Sequence, residues 1–272
     1  MEKIAKALQK SADGAGQAPV LSFVGFGTSD ENGISLAGLT QLKGCGKIFA
    51  EGYTNLVPEG TLARLEKLAG KQITLLSREQ VEGEKTILDA LAQSQSVALV
   101  VSGDPMIATT HISLILAAKK NGADVKIFHA ASILSAAIGE SGLQAYKFGK
   151  TVTLAYWREN YKPMAAYDVI VENLSRNLHT LLLLDIDEKL GPMKPSVAAS
   201  LLLDMEKTGG KKLLIQKTKI ILLQGLGWGK ARREFSEISA LASAAKRDLA
   251  SPAVIIIPAK LHFLEEEFLS SL

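Results

Sequence analysis

Residues 97–111 read VALVVSGDPMIATTH and combine a strand signal with a turn signal. The apolar run at 97–101 is rich in β-branched residues, which is typical of a buried parallel strand. Gly103 permits a backbone conformation that other residues disfavour, and Pro105 prevents the strand from continuing. A helix is predicted to follow over 109–121, ending at an Asn-Gly pair. This order of strand, glycine turn and helix predicts an α/β fold.

Asp104 lies directly after this predicted strand. In an open α/β sheet, ligands bind in the crevice at the carboxyl ends of the strands, so the Asp104 carboxylate is predicted at a ligand-binding edge. Two interpretations remain open at this point. Asp104 either binds a ligand there, or it closes a tight turn and caps the helix that follows.

The composition is that of an ordinary globular enzyme. The chain has 272 residues, of which 47% are hydrophobic and 22% are charged, and this length suggests about two domains. A net charge of +3 is too small to indicate nucleic-acid binding. The basic residues nevertheless concentrate in two runs, which form either a solvated surface or a contact for an acidic or RNA-bearing partner. They are Lys207, Lys211, Lys212, Lys217 and Lys219, and Lys230, Arg232 and Arg233.

Several sequence features bear on the cellular location of the protein. Cys45 is the only cysteine, which excludes an intrachain disulfide and is typical of the reducing cytosol. The longest apolar runs, such as 181–184 and 254–257, are too short to span a membrane, and the amino terminus has no secretory signal. We therefore expect a cytoplasmic protein that does not bind membranes. Residues 1–19 are predicted to be a flexible extension.

Strands and helices alternate along the chain, which predicts an α/β fold with largely parallel sheets. Strands are predicted at 20–24, 47–50, 73–76, 97–101 and 125–128, then at 151–156, 180–185, 219–224 and 254–257. Helices are predicted at 35–42, 61–68, 85–93, 109–121 and 133–138, then at 166–175, 196–207, 234–249 and 261–268. The polar, glycine-containing segment 139–149 is the predicted passage between two domains, 20–138 and 139–272.

The histidines do not form a metal-binding pattern. His111, His129, His179 and His262 include no pair at helical i, i+4 spacing, and a single cysteine cannot complete a structural zinc site. No metal is therefore predicted. Taken alone, each histidine is interpreted as a hydrogen-bonded structural residue.

The first strand ends in Gly25-Phe-Gly27, which is only part of a dinucleotide-binding fingerprint. That fingerprint requires a third glycine where a helix begins, and this chain has Asp30 there. Glu51 ends the second strand, about where a conventional nucleotide-binding fold holds ribose hydroxyls. A conventional cofactor pose on Glu51 therefore stays open as an alternative.

Several motifs occur in a fixed order along the chain. Besides Gly25-Phe-Gly27 they are SGDPMIATTH at 102–111, HAASI at 129–133, YKFGKTVT at 146–153, HTLLLLDI at 179–186 and PAKLH at 258–262. Over residues 20–272 they resemble the diphthine synthase family, which belongs to the tetrapyrrole-methylase superfamily of S-adenosylmethionine-dependent methyltransferases. The resemblance implies two α/β domains with a cofactor cleft between them, and a homodimer.

The resemblance also implies which residues bind S-adenosylmethionine. The positions that match the family's cofactor-binding positions are Thr28, Asp104, Ile107, Ser132, Ile133, Leu183, Leu226 and His262. Two positions depart from the family. Its usual Ala-Arg-Ala-Gly turn reads Gln224-Gly-Leu-Gly227 here, which removes an arginine from that part of the site. The proline usual in the HAPSI motif is Ala131.

The activity implied is methyl transfer to the amino group of a modified histidine on translation elongation factor 2. Holding the amine in line with the methyl group supplies much of such catalysis, so no catalytic residue is assigned. Candidates to face the growing cation or the carboxylate of the histidine's amino-carboxypropyl arm are Tyr53, Tyr146, Tyr156, Trp157, Glu51, Lys147 and Arg158. The alternatives are a superfamily methyltransferase for ribosomal RNA or a tetrapyrrole, and a catalytically silent S-adenosylmethionine-binding protein.

Overall fold

The computed structural model describes residues 18–53, 56–187, 189–244 and 252–272. The chain divides into two compact units, unit 1 at Met1–Ile133 and unit 2 at Leu134–Leu272. Each unit contains one five-stranded sheet. Most of the extension predicted at 1–19 lies outside the described residues.

Unit 1 is a parallel α/β layer structure. Its strands are β1 (Val20–Gly25), β2 (Lys47–Glu51), β3 (Ile73–Leu76), β4 (Ser96–Val101) and β5 (Asp124–Phe128). Its helices are α1 (Leu36–Gly44), α2 (Thr61–Ala69), α3 (Arg78–Glu82), α4 (Lys85–Ser94) and α5 (Ile112–Lys120), with a short 3-10 helix at Glu31–Gly33. The strand order is β3-β2-β4-β1-β5, and every pair is parallel.

The sequence pattern of β4 explains why both faces of this sheet are buried. Val97, Leu99 and Val101 pack into one apolar cluster, while Ala98 and Val100 pack into another. Successive side chains of a strand point to opposite faces, so a continuous apolar run serves a sheet that is covered on both sides. The prediction of a buried parallel strand at 97–101 is confirmed.

Unit 2 has a mixed sheet and two longer helices. Its strands are β6 (Val152–Leu154), β7 (Thr180–Leu184), β8 (Ile186–Asp187), β9 (Gly191–Pro192), β10 (Lys219–Gln224), β11 (Arg232–Glu237) and β12 (Ala253–Ile257). Its helices are α6 (Ile133–Glu140, which begins at the unit boundary), α7 (Ala165–Ser175), α8 (Pro195–Gly209), α9 (Ile238–Ala242) and α10 (Phe263–Ser270), with a 3-10 helix at Ala145–Lys147. Strands β8 and β9 form a separate small hairpin.

The prediction of largely parallel sheets is wrong for unit 2. The strand order is β11-β10-β12-β7-β6, and only the β6–β7 pair is parallel. Buried strands are apolar in either orientation, so the apolar runs at β7, β10 and β12 carried no information about direction. Direction is set by the connections, such as the short one from β10 to β11.

The prediction of a helix over 234–249 is also wrong for the first part of that range. Residues Arg232–Glu237 form β11, which pairs with β10 from Gln224↔Arg232 to Lys219↔Glu237, and only Ile238–Ala242 is helical. Arginine and glutamate favour helices, but pairing with β10 and packing of the Lys219 ammonium over the Phe235 ring, 4.9 Å from its centroid, override that preference. The part of the prediction over 245–249 lies outside the described residues.

Candidate functional site

The carboxyl ends of β1, β4 and β5 meet at one edge of the unit 1 sheet, because the three strands are parallel neighbours. Gly27 and Gly103 face each other there: Gly27 N–H donates to the Gly103 carbonyl (3.2 Å) and Gly103 N–H donates to the Gly27 carbonyl (2.7 Å). Both have positive φ angles, 81° and 73°. A Cβ on Gly25 would lie 2.5 Å from the Gly103 carbonyl oxygen, so only glycine permits this close approach.

Asp104 connects the loop after β4 to the loop after β5. Its Oδ1 accepts a hydrogen bond from Met106 N–H (2.9 Å), and its Oδ2 accepts from His129 Nδ1 (2.9 Å) and from Ala130 N–H (3.2 Å). Burial alone would raise the pKa of Asp104, but these donors outweigh it and lower the pKa below its ordinary value. The side chain is therefore an anion at neutral pH, at the edge where a ligand was predicted.

Asp104 does not cap the helix that follows. Helix α5 begins at Ile112, three residues later than predicted, with His111 as its N-cap residue. The structural interpretation of Asp104 as a helix cap is therefore wrong, although Asp104 does close the turn through Met106 N–H. Within the same loop, Ala108 has a φ of 54°, a strained conformation for a residue with a Cβ.

The other predicted residues of unit 1 surround these loops. Thr28 follows the Gly25–Gly27 turn and is half-buried, and Ile107 is 36% exposed in the Asp104 loop. Ser132 is buried and Ile133 is half-buried where α6 begins. The structure thus brings all five unit 1 candidates, counting Asp104, to the carboxyl edge of one sheet.

The Glu51 carboxylate contacts polar side chains of its own unit. Its Oε1 lies 2.6 Å from His111 Nε2 and 3.2 Å from the Tyr53 hydroxyl, and the residue is only 5% exposed. His111 Nδ1 lies 2.6 Å from the Pro105 carbonyl oxygen, so this nitrogen must carry a hydrogen and donate. Burial would lower the pKa of His111, but the hydrogen bond and charge of Glu51 outweigh it and raise the pKa. The imidazolium ties β2 to the Asp104 loop.

Two of the three unit 2 candidates lie towards the same end of its sheet. Leu183 in β7 pairs with Val254 in β12, which also pairs with Leu223 in β10. The turn that follows β10 contains Leu226, which is 3% exposed. Gly225 and Gly227 flank it with φ angles of 65° and 80°, so two glycines shape this turn, of which Gly225 stands at the position of the family's arginine.

His262 lies at the opposite end of these strands. It follows β12, which ends opposite Thr180 at the start of β7, and it is the N-cap residue of α10. Its Nδ1 accepts from Leu264 N–H (3.4 Å), and its own N–H donates to Glu265 Oε2 (2.7 Å). The described contacts of unit 2 therefore group His262 with the Glu265 carboxylate rather than with Leu183 and Leu226.

Glu265 is the centre of a buried polar cluster that sequence reasoning missed. Its Oε1 accepts from Gln144 N–H (2.8 Å) and His179 Nε2 (3.2 Å), and its Oε2 also accepts from Lys147 Nζ (2.7 Å). Burial would raise the pKa of Glu265, but the Gln144 amide, Lys147 and the other donors lower it to about 2. The cluster joins α10 to His179, which directly precedes β7, and to the 3-10 helix before β6. These partners are over 80 positions apart in sequence, so no local pattern signals them.

The remaining candidates are dispersed. Tyr146 is 99% exposed, and the Trp157 ring N–H donates to the Pro163 carbonyl (3.1 Å). Lys147 is held by Glu265, and Arg158 forms an ion pair with Asp187. Within the described residues, no group of three or more His, Cys, Asp or Glu side chains is placed to hold a metal ion, and no helix is long and apolar enough to cross a membrane.

Comparison with known proteins assigns this architecture to a family. Residues 20–242 match the tetrapyrrole (corrin/porphyrin) methylases. This chain belongs to the tetrapyrrole methylase family. The tetrapyrrole methylases are methyltransferases, so the prediction of a methyltransferase is confirmed.

Three proteins show how closely the chain follows this family. The diphthine synthase of Methanocaldococcus jannaschii is 39% identical over 257 residues, which cover 93% of this chain and 98% of that protein. The diphthine synthase of Methanosarcina acetivorans is 36% identical over 93% of this chain and 96% of its own length. A crystal structure of diphthine synthase superposes with a TM-score of 0.80 at 32% identity, covering 93% of this chain and 95% of that one.

Proposed function

We propose that this methyltransferase is a diphthine synthase, which methylates the amino group of the modified histidine of translation elongation factor 2. The observation that carries this proposal is full-length similarity: proteins of that name match 93% of this chain and at least 96% of their own length. Neither ribosomal RNA nor a tetrapyrrole as substrate has comparable support.

We propose S-adenosylmethionine as the methyl donor, with its methyl group carried on a sulfonium cation. The carboxyl edge of unit 1 fits such a molecule. A carboxylate has about four acceptor sites, and Asp104 uses three of them on protein donors, which leaves one on Oδ1 for a hydroxyl or ammonium group. Its negative charge favours a cation, and Ile107 offers an exposed apolar surface nearby in the loop.

We keep the proposed cofactor-binding residues that the family resemblance implies. Thr28, Asp104 and Ser132 offer polar groups, whereas Leu183 and Leu226 offer apolar side chains. Ile107 and Ile133 are the other apolar members of this set. His262 belongs to it through the family resemblance alone, because its described contacts are with Leu264 and Glu265. The Gln224–Gly227 turn cannot supply the arginine contact of other family members, because Gly225 stands at the position where that arginine is usual. We also propose two domains, at 20–138 and 139–272, a homodimer and a cytoplasmic location.

The substrate is tested by mass spectrometry of purified elongation factor 2. One sample carries the amino-carboxypropyl arm on its histidine, and the control sample carries the unmodified imidazole. After incubation with this protein and S-adenosylmethionine, we expect added methyl groups on the arm-bearing residue only, because a bare imidazole offers no alkyl amine. No gain on either sample, together with methylation of ribosomal RNA or a tetrapyrrole, would contradict the proposal.

A further inference from the structure

An exposed histidine lies directly beside the buried carboxylate of Asp104. His129 follows β5, and its side chain is 69% exposed. Its Nδ1 lies 2.9 Å from Asp104 Oδ2. Because Asp104 is ionised and only accepts, Nδ1 carries a hydrogen, and in the neutral ring Nε2 carries the lone pair. Nε2 makes no hydrogen bond with any residue that the structure describes.

Asp104 fixes this arrangement. Met106 N–H holds Oδ1, Ala130 N–H holds Oδ2 beside the His129 contact, and Asp104 is only 8% exposed. The carboxylate therefore sets both the tautomer and the orientation of the imidazole. This is the arrangement of a carboxylate-oriented base with its basic nitrogen open to solvent.

The other three histidines lack this combination of an orienting carboxylate and an open ring nitrogen. Both ring nitrogens of His111 are occupied, by the Pro105 carbonyl and by Glu51. Both ring nitrogens of His179 are occupied as well, by Ala259 N–H and by Glu265. The His262 ring faces the Leu264 amide and has no carboxylate behind it in the described contacts. His129 alone combines an orienting carboxylate with an open nitrogen.

The proposed reaction needs such a group. The arm's amine is an ammonium ion at neutral pH, and an ammonium nitrogen has no lone pair with which to attack a methyl group. One proton must leave for each methyl group that is added. A positioned side chain that removes this proton contributes about 10²–10⁴-fold to the rate.

We propose that His129 is the general base of methyl transfer and that Asp104 is its positioning residue; the proposal rests on the function proposed above. His129 Nε2 takes a proton from the substrate ammonium. The freed nitrogen lone pair forms the N–C bond to the methyl group, while the C–S bond of S-adenosylmethionine breaks and leaves its electron pair on sulfur. The exposed Nε2 then releases the proton to solvent before the next transfer.

The test uses a substitution that keeps the structural contact and removes the base. In His129→Asn, the side-chain amide can occupy the position of Nδ1 and still donate to Asp104, but nothing replaces Nε2. We expect calorimetry to give an affinity for S-adenosylmethionine within about twofold of wild type. The single-turnover rate on arm-bearing elongation factor 2 at pH 7 should fall about 100-fold. The deficit should shrink as pH rises, because hydroxide then deprotonates the amine.

Lys126→Gln, on the exposed face of β5, serves as the matched control and should keep the wild-type rate. A His129→Asn rate within about threefold of wild type would overturn the proposal and leave the pair as a loop contact. A second readout needs no activity: in ¹⁵N NMR of the protein alone, neutral His129 should carry its hydrogen on Nδ1, and the opposite tautomer would also overturn the assignment. If the wild-type protein transfers no methyl group, the proposed function fails, and the assignment of His129 fails with it.

Discussion

Each unit contains a buried glutamate bonded to a buried histidine, but the two histidines differ in charge. In unit 1, His111 Nε2 lies 2.6 Å from Glu51 and its Nδ1 donates to the Pro105 carbonyl. In unit 2, His179 Nε2 lies 3.2 Å from Glu265 and its Nδ1 accepts from Ala259 N–H (2.9 Å). A carbonyl requires a hydrogen on the ring nitrogen, whereas an amide excludes one.

The pKa values follow this difference. Burial lowers the pKa of both imidazoles, and Glu51 reverses the effect for His111, whose pKa is raised. For His179, Glu265 does not compensate for burial, and the nearby Lys147 ammonium lowers the pKa further. The comparison teaches that a carboxylate neighbour does not by itself make a buried histidine charged. The partner of the second ring nitrogen and any competing cation decide the outcome.

The largest effect is expected from neutralising Glu265. Its folded-state pKa of about 2 lies well below the ordinary value of 4.5, so the ionised group stabilises the fold above that ordinary value. Glu265→Gln should therefore lower the free energy of unfolding by about 3 kcal/mol at pH 7 and leave Lys147 without its buried partner. Urea unfolding measures this loss. The difference from wild type should disappear as pH falls from 4.5 towards 2.

Glu267→Gln is the matched control, because Glu267 lies on the exposed side of the same helix. It should change the free energy of unfolding by less than about 0.5 kcal/mol. Equal losses for the two variants would show that the buried cluster of unit 2 contributes no more than a surface charge.

A smaller, pH-dependent effect is expected at Glu51. The raised pKa of His111 means that the pair stabilises the fold fully below the unfolded histidine value of about 6.5. This contribution is lost as pH rises through the higher folded-state value. Glu51→Gln should cost about 2 kcal/mol at pH 6, less as pH increases, when followed by urea unfolding. A gap that widens with rising pH would contradict the raised pKa of His111, because it would mean that the folded pair takes up no additional proton.

The smallest effect is expected at an exposed pair. Lys85 and Asp89 form an i, i+4 ion pair on α4, with 77% and 35% of their side chains exposed. Asp89→Asn should lower the free energy of unfolding by about 0.3–0.5 kcal/mol, and less in high salt. If Asp89→Asn lowered the free energy of unfolding as much as Glu51→Gln, burial would not explain why these carboxylates differ in their contribution to stability.

Much of the architecture could be predicted from the sequence, because apolar runs such as 97–101 are local signals of buried strands. Strand direction in unit 2 and the strand at Arg232–Glu237 could not, since both depend on pairing with distant strands. The position of Asp104 was predictable from the end of β4. Its contact with His129, 25 residues later, was not, and neither was the His111–Glu51 pair, which is separated by 60 residues.

Two carboxylates at the ends of neighbouring strands, Asp104 and Glu51, could each have bound the cofactor. The contacts of Glu51 with His111 and Tyr53 favour Asp104. Calorimetric titration of S-adenosylmethionine into Asp104→Ala and Glu51→Gln tests this choice most directly. We expect Asp104→Ala to weaken binding by about 1–3 kcal/mol, and Glu51→Gln to keep it within about threefold of wild type. Loss of binding in Glu51→Gln, with wild-type affinity in Asp104→Ala, would contradict the assignment of the cofactor to the Asp104 loop.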